Sequence, residues 1–321
     1  MHTNFLSRRG VLAALLAAAA AVPAGAQAPL ELKITAPAGA GGGWDGAARS
    51  LQQVMTATGA AKSVQVVNVP GAGGTVGLAQ FVNTAKGDGN QLMVMGITMV
   101  GAVLTNKSPV TLDAVTPIAR LTADQLVVVV PANSPHKTMG DLVKAFKADP
   151  GKVSWGGGSA GGTDHILIGL IAKEVGVQPA KINYVPFKGG GEAVAAILGG
   201  HVTAGVSGLG EFAEQIKAGK MRALAQSSPK KLEGIPSLKE QSINVELGNW
   251  RGVFGGPGLS PQQRDALVKL VQSATETPAW KATLEKLGWE PWFLGGDAYA
   301  KFLKEDETRI AGIIESLGLK K

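Results

Sequence analysis

The residues of this sequence that could do chemistry cluster in glycine. The stretch GAGGGWDG, residues 39–46, holds five glycines among eight positions and ends on Trp44, Asp45 and Gly46. Glycine loses more backbone freedom on folding than any other residue, so such density implies that something needs bare backbone there. Four further runs share the character: Gly71–Gly77, Gly156–Gly162, Gly189–Gly191 and Gly205–Gly210. Each falls where a predicted strand hands over to a predicted helix. The first turn of a helix has unpaired N–H groups and a partial positive charge, and glycine lets an anion approach that backbone unobstructed. In doubly wound sheets such loops gather at the carboxyl ends of the strands, where ligands bind.

Three other chemistries are tested by the same residues. Gly41, Gly43 and Gly46 spell G-x-G-x-x-G after a strand, but the next strand ends Val67-Asn68-Val69 without the acid a dinucleotide ribose requires. No G-x-x-x-x-G-K-[ST] is present. Gly157-Gly158-Ser159-Ala160-Gly161 matches the G-x-S-x-G elbow of a hydrolase, which needs an acid and then a histidine downstream. The sole aspartate between Ser159 and His201 is Asp164, five residues from the serine and too close to orient a distant imidazole. Ser159 therefore reads as an anion-binding hydroxyl, with an exported esterase as the alternative. Metal ligation has little to work with: His136, His165 and His201 include no H-E-x-x-H, and adjacent Asp164 and His165 point to different faces of a helix. Asp164 reads as a helix-opening cap with a partly buried His165 behind it. Asp45 reads as a cap for the first helix, with Arg49 one turn on as its ion-pair partner. Trp44 is either a lid over a ligand or a packed aromatic, and Lys188, ahead of Gly189, is a candidate anion partner. The remaining tryptophans read as core.

The elements that must position these loops alternate from end to end. Strands are expected at Leu32–Ala36, Val64–Val69, Leu92–Met95, Leu126–Val130, Val153–Trp155, Ile182–Val185, Val202–Val206 and Met221–Ala225. Helices are expected at Trp44–Met55, Thr75–Thr84 and Thr138–Ala148, around His165–Glu174, at Glu192–Leu198 and around Glu211–Ala218. Thr138 with Asp141 forms a capping-box pattern, as does Ser260-Pro261-Gln262-Gln263, and Thr277-Pro278 opens another helix. A short strand, Glu290–Phe293, precedes a long helix from about Asp297 to Ser316. This order predicts α/β sheets with helices on both faces.

At the start of the chain, Arg8 and Arg9 precede an apolar run of 12 residues, Val11–Val22, then Pro23 and two A-x-A sites. That is the order of a secretory signal peptide, and the run is well short of the ~20 residues that span a bilayer. Ser7-Arg8-Arg9 fits a twin-arginine leader and an ordinary Sec leader alike. The 31 Lys and Arg exceed the 24 Asp and Glu by seven, and removing a leader with two arginines and no acid leaves +5. No like-charge run marks a nucleic-acid stripe, and a diffuse excess suits acidic ligands. Cysteine is absent, so an exported chain here relies on its core alone.

Taken together, these loops resemble those of the TctC-like, or Bug-type, substrate-binding proteins of tripartite tricarboxylate transporters. The resemblance runs through APAGAGGGWDGAAR (36–49), NVPGAGGTVGLAQF (68–81), GDGNQLMV (87–94) and VSWGGGSAGGTDHI (153–166). It continues through YVPFKGGGEAVAAILGGHV (184–202), AGKMRALAQSS (218–228) and GVFGGPGLSP (252–261). It implies a two-lobed periplasmic-binding-protein fold of type II, each lobe a mixed sheet flanked by helices. Residues 1–28 would be a cleaved signal peptide, 29–124 plus 250–321 the first domain and 125–249 the second. It implies a periplasmic, monomeric receptor without catalysis or cofactor, which hands a small carboxylate to membrane permease subunits. The GGGWD version is closer to the tricarboxylate-binding branch, which favours citrate or a relative; an orphan receptor feeding a sensor is the other outlet. Mapped onto this chain, the ligand loops are Gly41, Gly42, Gly43, Trp44 and Asp45 on one side and Ser159, Gly162, Thr163 and Asp164 on the other. Lys188, Gly189, Ser207 and Gly208 lie nearby, and Thr98 follows the third strand.

Overall fold

The computed structural model describes residues 30–187, 190–228, 232 and 234–320. The leader expected at 1–28, together with Lys188 and Gly189, lies outside the described residues. The chain opens with β1 (Glu31–Ala36), α1 (Gly43–Ala57), β2 (Ser63–Asn68), α2 (Thr75–Thr84), β3 (Gln91–Gly96) and α3 (Ile97–Thr105). A 16-residue strand, β4 (Thr116–Pro131), follows. Beyond it come α4 (Met139–Ala148), β5 (Ser154–Gly157), α5 (Thr163–Glu174), β6 (Asn183–Pro186), α6 (Gly190–Leu198), β7 (Ala204–Gly208), α7 (Leu209–Lys217) and β8 (Met221–Gln226). The chain then returns through β9 (Gly248–Gly255), α8 (Pro261–Thr275), α9 (Pro278–Leu287), β10 (Trp289–Gly295) and α10 (Gly296–Ser316). The expected mixed α/β architecture is present.

Strand β4 joins the two lobes. Its residues 116–125 pair antiparallel with β9 and β10, and its residues 126–131 with β7 and β8. The order runs β2-β1-β3-β9-β4-β7-β5-β6. The pairing directions settle where strand ends point. β1, β2 and β3 are parallel to one another and β3 is antiparallel to β9, so all three run with β4 towards the second lobe. β7 is antiparallel to β4 and parallel to β5, which is parallel to β6, so these three run back towards the first. The carboxyl ends of both sets therefore face each other. In register, Gly96 at the end of β3 is level with Arg251 and Thr122, and Gly208 at the end of β7 is level with Leu126. Those levels are four residues apart on β4, or roughly 13 Å at ~3.3 Å per residue.

Two apolar clusters hold the first lobe to this strand. Ile34, Leu51, Val94, Ile118 and Trp280 pack on one face of the sheet. On the other face a larger cluster runs from Phe81 and Met95 through Leu126 and Trp155 to Ile310 and Ile314 of α10, so it spans both lobes. Gly169 of α5 leaves room for Leu317, whose atoms would lie 3.1–3.2 Å from a Cβ there.

Three elements depart from the expectations. The first ten residues of β4, helix α3 and strand β9 are absent from the expected elements, α3 because its apolar residues continue the run of β3 without a break. TPIARLTADQ reads as polar, yet Arg120, Thr122, Asp124 and Gln125 are all buried in it. Arg120 is accommodated by cation–π contacts with Trp292 and Phe302, at 4.1 and 4.2 Å, and by donating to the Trp292 carbonyl. β9 reads as glycine-rich loop, but Gly252 is the space into which the Tyr299 ring packs, its Cζ 2.8 Å from where a Cβ would stand.

Candidate functional site

Every α-helix leaves its first backbone N–H groups unpaired unless something accepts from them. Helices α4, α8 and α9 solve this with side chains: Thr138, Ser260 and Thr277 accept from the third residue of each helix. Helices α1, α3, α5 and α7 do not. Their N-caps are Gly42, Gly96, Gly162 and Gly208, and none supplies a side-chain acceptor. α2 and α10 also begin at uncapped glycines. The first four, however, directly follow β1, β3, β5 and β7, so their open ends lie at the facing strand termini.

The loop from β1 to α1 is shaped by one carboxylate. Asp45 accepts from Gly41 N–H at 2.9 Å, Arg49 Nε at 2.9 Å and Asn68 Nδ2 at 2.8 Å. Burial alone would raise its pKa, but Arg49, the Gly41 amide and Asn68 outweigh that and hold it below the ordinary value. The expectation that Asp45 is the N-cap is corrected: the cap is Gly42, and Asp45, in the first turn, reaches back to Gly41. The Arg49 pair is present. Gly41 has φ +82°, a left-handed conformation that favours glycine. Trp44 is half-buried, its ring edge 2.7 Å from where a Cβ on Gly74 would stand and its Nε1 3.3 Å from the same position on Gly96. Trp44 packs against both apolar clusters while its ring stays partly exposed.

The opposing loop, Gly158–Gly162, is tied down three ways. Asp164 accepts from Gly158 N–H at 2.7 Å, His165 Nδ1 from Gly161 N–H at 3.2 Å, and Tyr184 donates its hydroxyl to the Gly158 carbonyl at 2.8 Å. The Tyr184 and His165 rings stack at 4.0 Å. Burial pushes Asp164 up to about 7; the Gly158 amide opposes this, while Glu211 and Asp124 add to it. Burial likewise pushes His165 down to about 4, so it is neutral at pH 7. The N-cap of α5 is Gly162, not Asp164, whose carboxylate serves the loop instead. Ser159 is exposed and lines a cavity of ≈ 230 Å³ with Gly73, Thr98, Asn106, Ala160 and Gly162.

The two sides meet directly. Thr98 and Thr163, in the first turns of α3 and α5, share a hydroxyl–hydroxyl hydrogen bond of 2.7 Å, and Thr163 Oγ1 lies 3.5 Å from Asn249 Oδ1. At the end of β7, Ser207 donates to Glu211 Oε2 at 2.9 Å, and Gly208 lies against the Asp124 carboxylate. Asp124 pairs at 3.2 Å with Arg251, whose Cζ lies 4.4 Å from the centre of the Trp289 ring. Burial raises the Asp124 pKa against the pull of Arg251. Arg251 in turn presses on Gly43, where a Cβ would stand 2.7 Å from Nη2. Thus Thr98, Ser159 and Gly162 line one cavity and Thr98 meets Thr163, while the contacts of Gly43 with Arg251, Arg251 with Asp124 and Asp124 with Gly208 join the α1 loop to the end of β7. Sequence reasoning missed Asp124, Tyr184, Asn249 and Arg251. The available signal was an arginine in an apolar, glycine-rich run, NWRGVFG, where only a partnered charge can be buried.

Among known proteins, the family model described as tripartite tricarboxylate transporter family receptor matches residues 47–319. A UPF0065 protein in the gbd 5′ region of Cupriavidus necator is 32% identical, with 99% of this chain and 98% of that protein covered. Among solved structures, a TctC solute-binding protein from Polaromonas is 26% identical with a TM-score of 0.72, covering 89% of this chain and 98% of that one. MatC from Rhodopseudomonas palustris, with bound malate, is 21% identical with a TM-score of 0.74, covering 89% and 99%.

Proposed function

Because the chain belongs to the tripartite tricarboxylate transporter family receptors, we propose that it captures a small di- or tricarboxylate between its lobes. It is a receptor and not an enzyme. The observation that carries the carboxylate reading is the set of four helices, α1, α3, α5 and α7, whose glycine N-caps offer no acceptor and open onto facing strand ends. A carboxylate supplies the acceptors that these helices lack.

The magnitudes agree. Micromolar binding needs about 8 kcal/mol. One helix terminus contributes ~0.3–1 kcal/mol and one hydrogen bond to a charged group ~1.5–3 kcal/mol. A single loop is insufficient, but five or six such bonds from both lobes cover the requirement and the cost of ordering the ligand. Citrate is the first candidate from the GGGWD loop, and malate, bound by the similar R. palustris protein, is the second.

In this reading residues 29–124 with 250–321, and residues 125–249, are the two jaws, exported behind a cleaved leader of residues 1–28. The loaded receptor presents its ligand to permease subunits in the membrane. A thermal-shift screen tests the ligand class, because a ligand that binds only the native state raises the melting temperature. Citrate, malate or a close relative is expected to give the largest shift. No shift with any carboxylate, alongside a shift with a sugar or an amino acid, would sink the reading.

A further inference from the structure

The cavity of ≈ 230 Å³ beside Ser159 takes its walls from both lobes. The first lobe supplies Ala72 and Gly73 ahead of α2, Thr98 and Ala102 of α3, and Asn106 just beyond that helix; the second supplies Ser159, Ala160 and Gly162. Two of these residues belong to open helix starts: Thr98 is in the first turn of α3, and Gly162 is the N-cap of α5. A carboxylate held by those first-turn amides therefore has its neighbouring atoms in this cavity. The described residues that line it include no ionisable side chain, so a further carboxylate finds no cation there. What the walls offer is neutral hydrogen bonding. Asn106 gives Nδ2 to the Ala72 carbonyl at 2.8 Å, which leaves its Oδ1 an acceptor without a partner among the described residues. The Ser159 hydroxyl also has no partner among the described residues, and no histidine or acid lines the cavity to make it a nucleophile. Both residues are exposed, so water serves them until a ligand displaces it.

We propose that this cavity receives the hydroxyl-bearing part of the ligand, so that the receptor selects hydroxycarboxylates over the same acids without the hydroxyl. The ligand hydroxyl donates to Asn106 Oδ1 and accepts from Ser159 Oγ. One partner comes from each lobe, so both bonds are made only when the lobes close on the ligand. A site that pairs a substrate hydroxyl rejects the analogue lacking it, because the groups facing that hydroxyl are then left without partners. The volume, below the ~300–1,000 Å³ of drug-sized ligand sites, suits a short-chain acid. The proposal rests on the carboxylate reading above and adds which carboxylates are taken.

The test is calorimetric titration of malate against succinate and of citrate against tricarballylate, two pairs that differ by one hydroxyl. The parent protein is expected to prefer the hydroxy acid of at least one pair by about 5- to 100-fold, the worth of two neutral hydrogen bonds. The double variant Ser159→Ala/Asn106→Ala is expected to bring the two members of that pair within about threefold of each other. Asn106 also holds the Ala72 carbonyl, so Ser159→Ala alone, which breaks no bond within the described residues, serves where the double variant does not fold. It is expected to remove about half of the preference on a logarithmic scale. Ala160→Leu leaves both partners in place but fills the cavity, and is expected to weaken the hydroxy acid by about tenfold or more. A parent that binds the acids without a hydroxyl as tightly as those with one overturns the assignment and leaves the carboxylate reading standing. So does a preference that survives intact in the folded variants. If the parent binds none of the four acids, both fall together.

Discussion

Giving α1 an acceptor of its own separates stability from binding. Gly42 has φ −73° and ψ 165°, an extended conformation that any residue adopts. A Cβ there would meet the Gly39 carbonyl at 3.2 Å and Ala38 Cβ at 3.6 Å, which small local shifts accommodate. In Gly42→Asp the new carboxylate is therefore expected to cap the helix. The cap is worth a few tenths of a kcal/mol over glycine, the helix dipole ~0.3–1 kcal/mol, and the reduced freedom of the unfolded chain ~0.4–1 kcal/mol. The sum is about 1–2 kcal/mol of stabilisation, or roughly 2–5 °C in melting temperature for a chain of this size. The same carboxylate occupies amides offered to the ligand and repels it. Loss of one charge-assisted bond, ~1.5–3 kcal/mol, lowers affinity by about 10- to 100-fold. Thermal melts and calorimetric titrations on one preparation read both effects, with Gly42→Ala as the control that adds a Cβ without an acceptor. Gly42→Ala is expected to bind within about threefold of the parent, since it leaves every donor in place. A Gly42→Asp protein that is stabilised and still binds carboxylates as tightly as the parent refutes the reasoning.

The carboxylates that shape the two loops make further predictions. The folded-state pKa of Asp164, about 7, lies above the ordinary 3.8, so the native state retains a proton that the unfolded chain releases. Its contribution to stability is therefore present below pH 4 and lost as pH rises to 7. Three units correspond to an upper bound of about 4 kcal/mol, which partial solvent contact reduces to ~1–2 kcal/mol. Asp164→Asn keeps an acceptor for Gly158 N–H and is expected to flatten urea-denaturation stability between pH 4 and 8; an unchanged slope contradicts the burial argument. Asp45→Ala removes the acceptor of three hydrogen bonds, from Gly41, Arg49 and Asn68. It is expected to cost ~1–3 kcal/mol in denaturant titrations and to weaken ligand binding through the loosened loop. Stability and affinity both unchanged would show that the loop does not depend on Asp45.

Much of this molecule is legible in its sequence because much of it is local. The alternating strands and helices, the Thr138 and Ser260 capping boxes and the Thr277 cap are all decided within a few residues of chain, and the structure has them where expected. What escapes notice is decided at a distance. Arg251 and Asp124 are 127 residues apart, and each looks like a loop residue until the other is placed beside it. Glycine in β9 reads as a turn signal, whereas Gly252 is there because Tyr299 needs the space. The same division holds in the cleft. Glycine loops advertise themselves, but the stack of Tyr184 on His165 that steadies one of them joins side chains on different strand–helix units. Asp45 and Asp164 were visible as acids beside helix starts. Their task of holding Gly41 and Gly158 N–H groups follows only from the loop geometry.

The central claim is that a carboxylate completes the open helix ends where the lobes meet. A crystal structure of the protein grown with the carboxylate that gives the largest thermal shift tests it most directly. The account predicts carboxylate oxygens about 2.7–3.2 Å from first-turn N–H groups of both α1 and α5. A ligand seated elsewhere, such as the groove of ≈ 650 Å³ lined by Leu30, Gly59, Asn90, Gln263 and Leu270, with those N–H groups left to water, would contradict it.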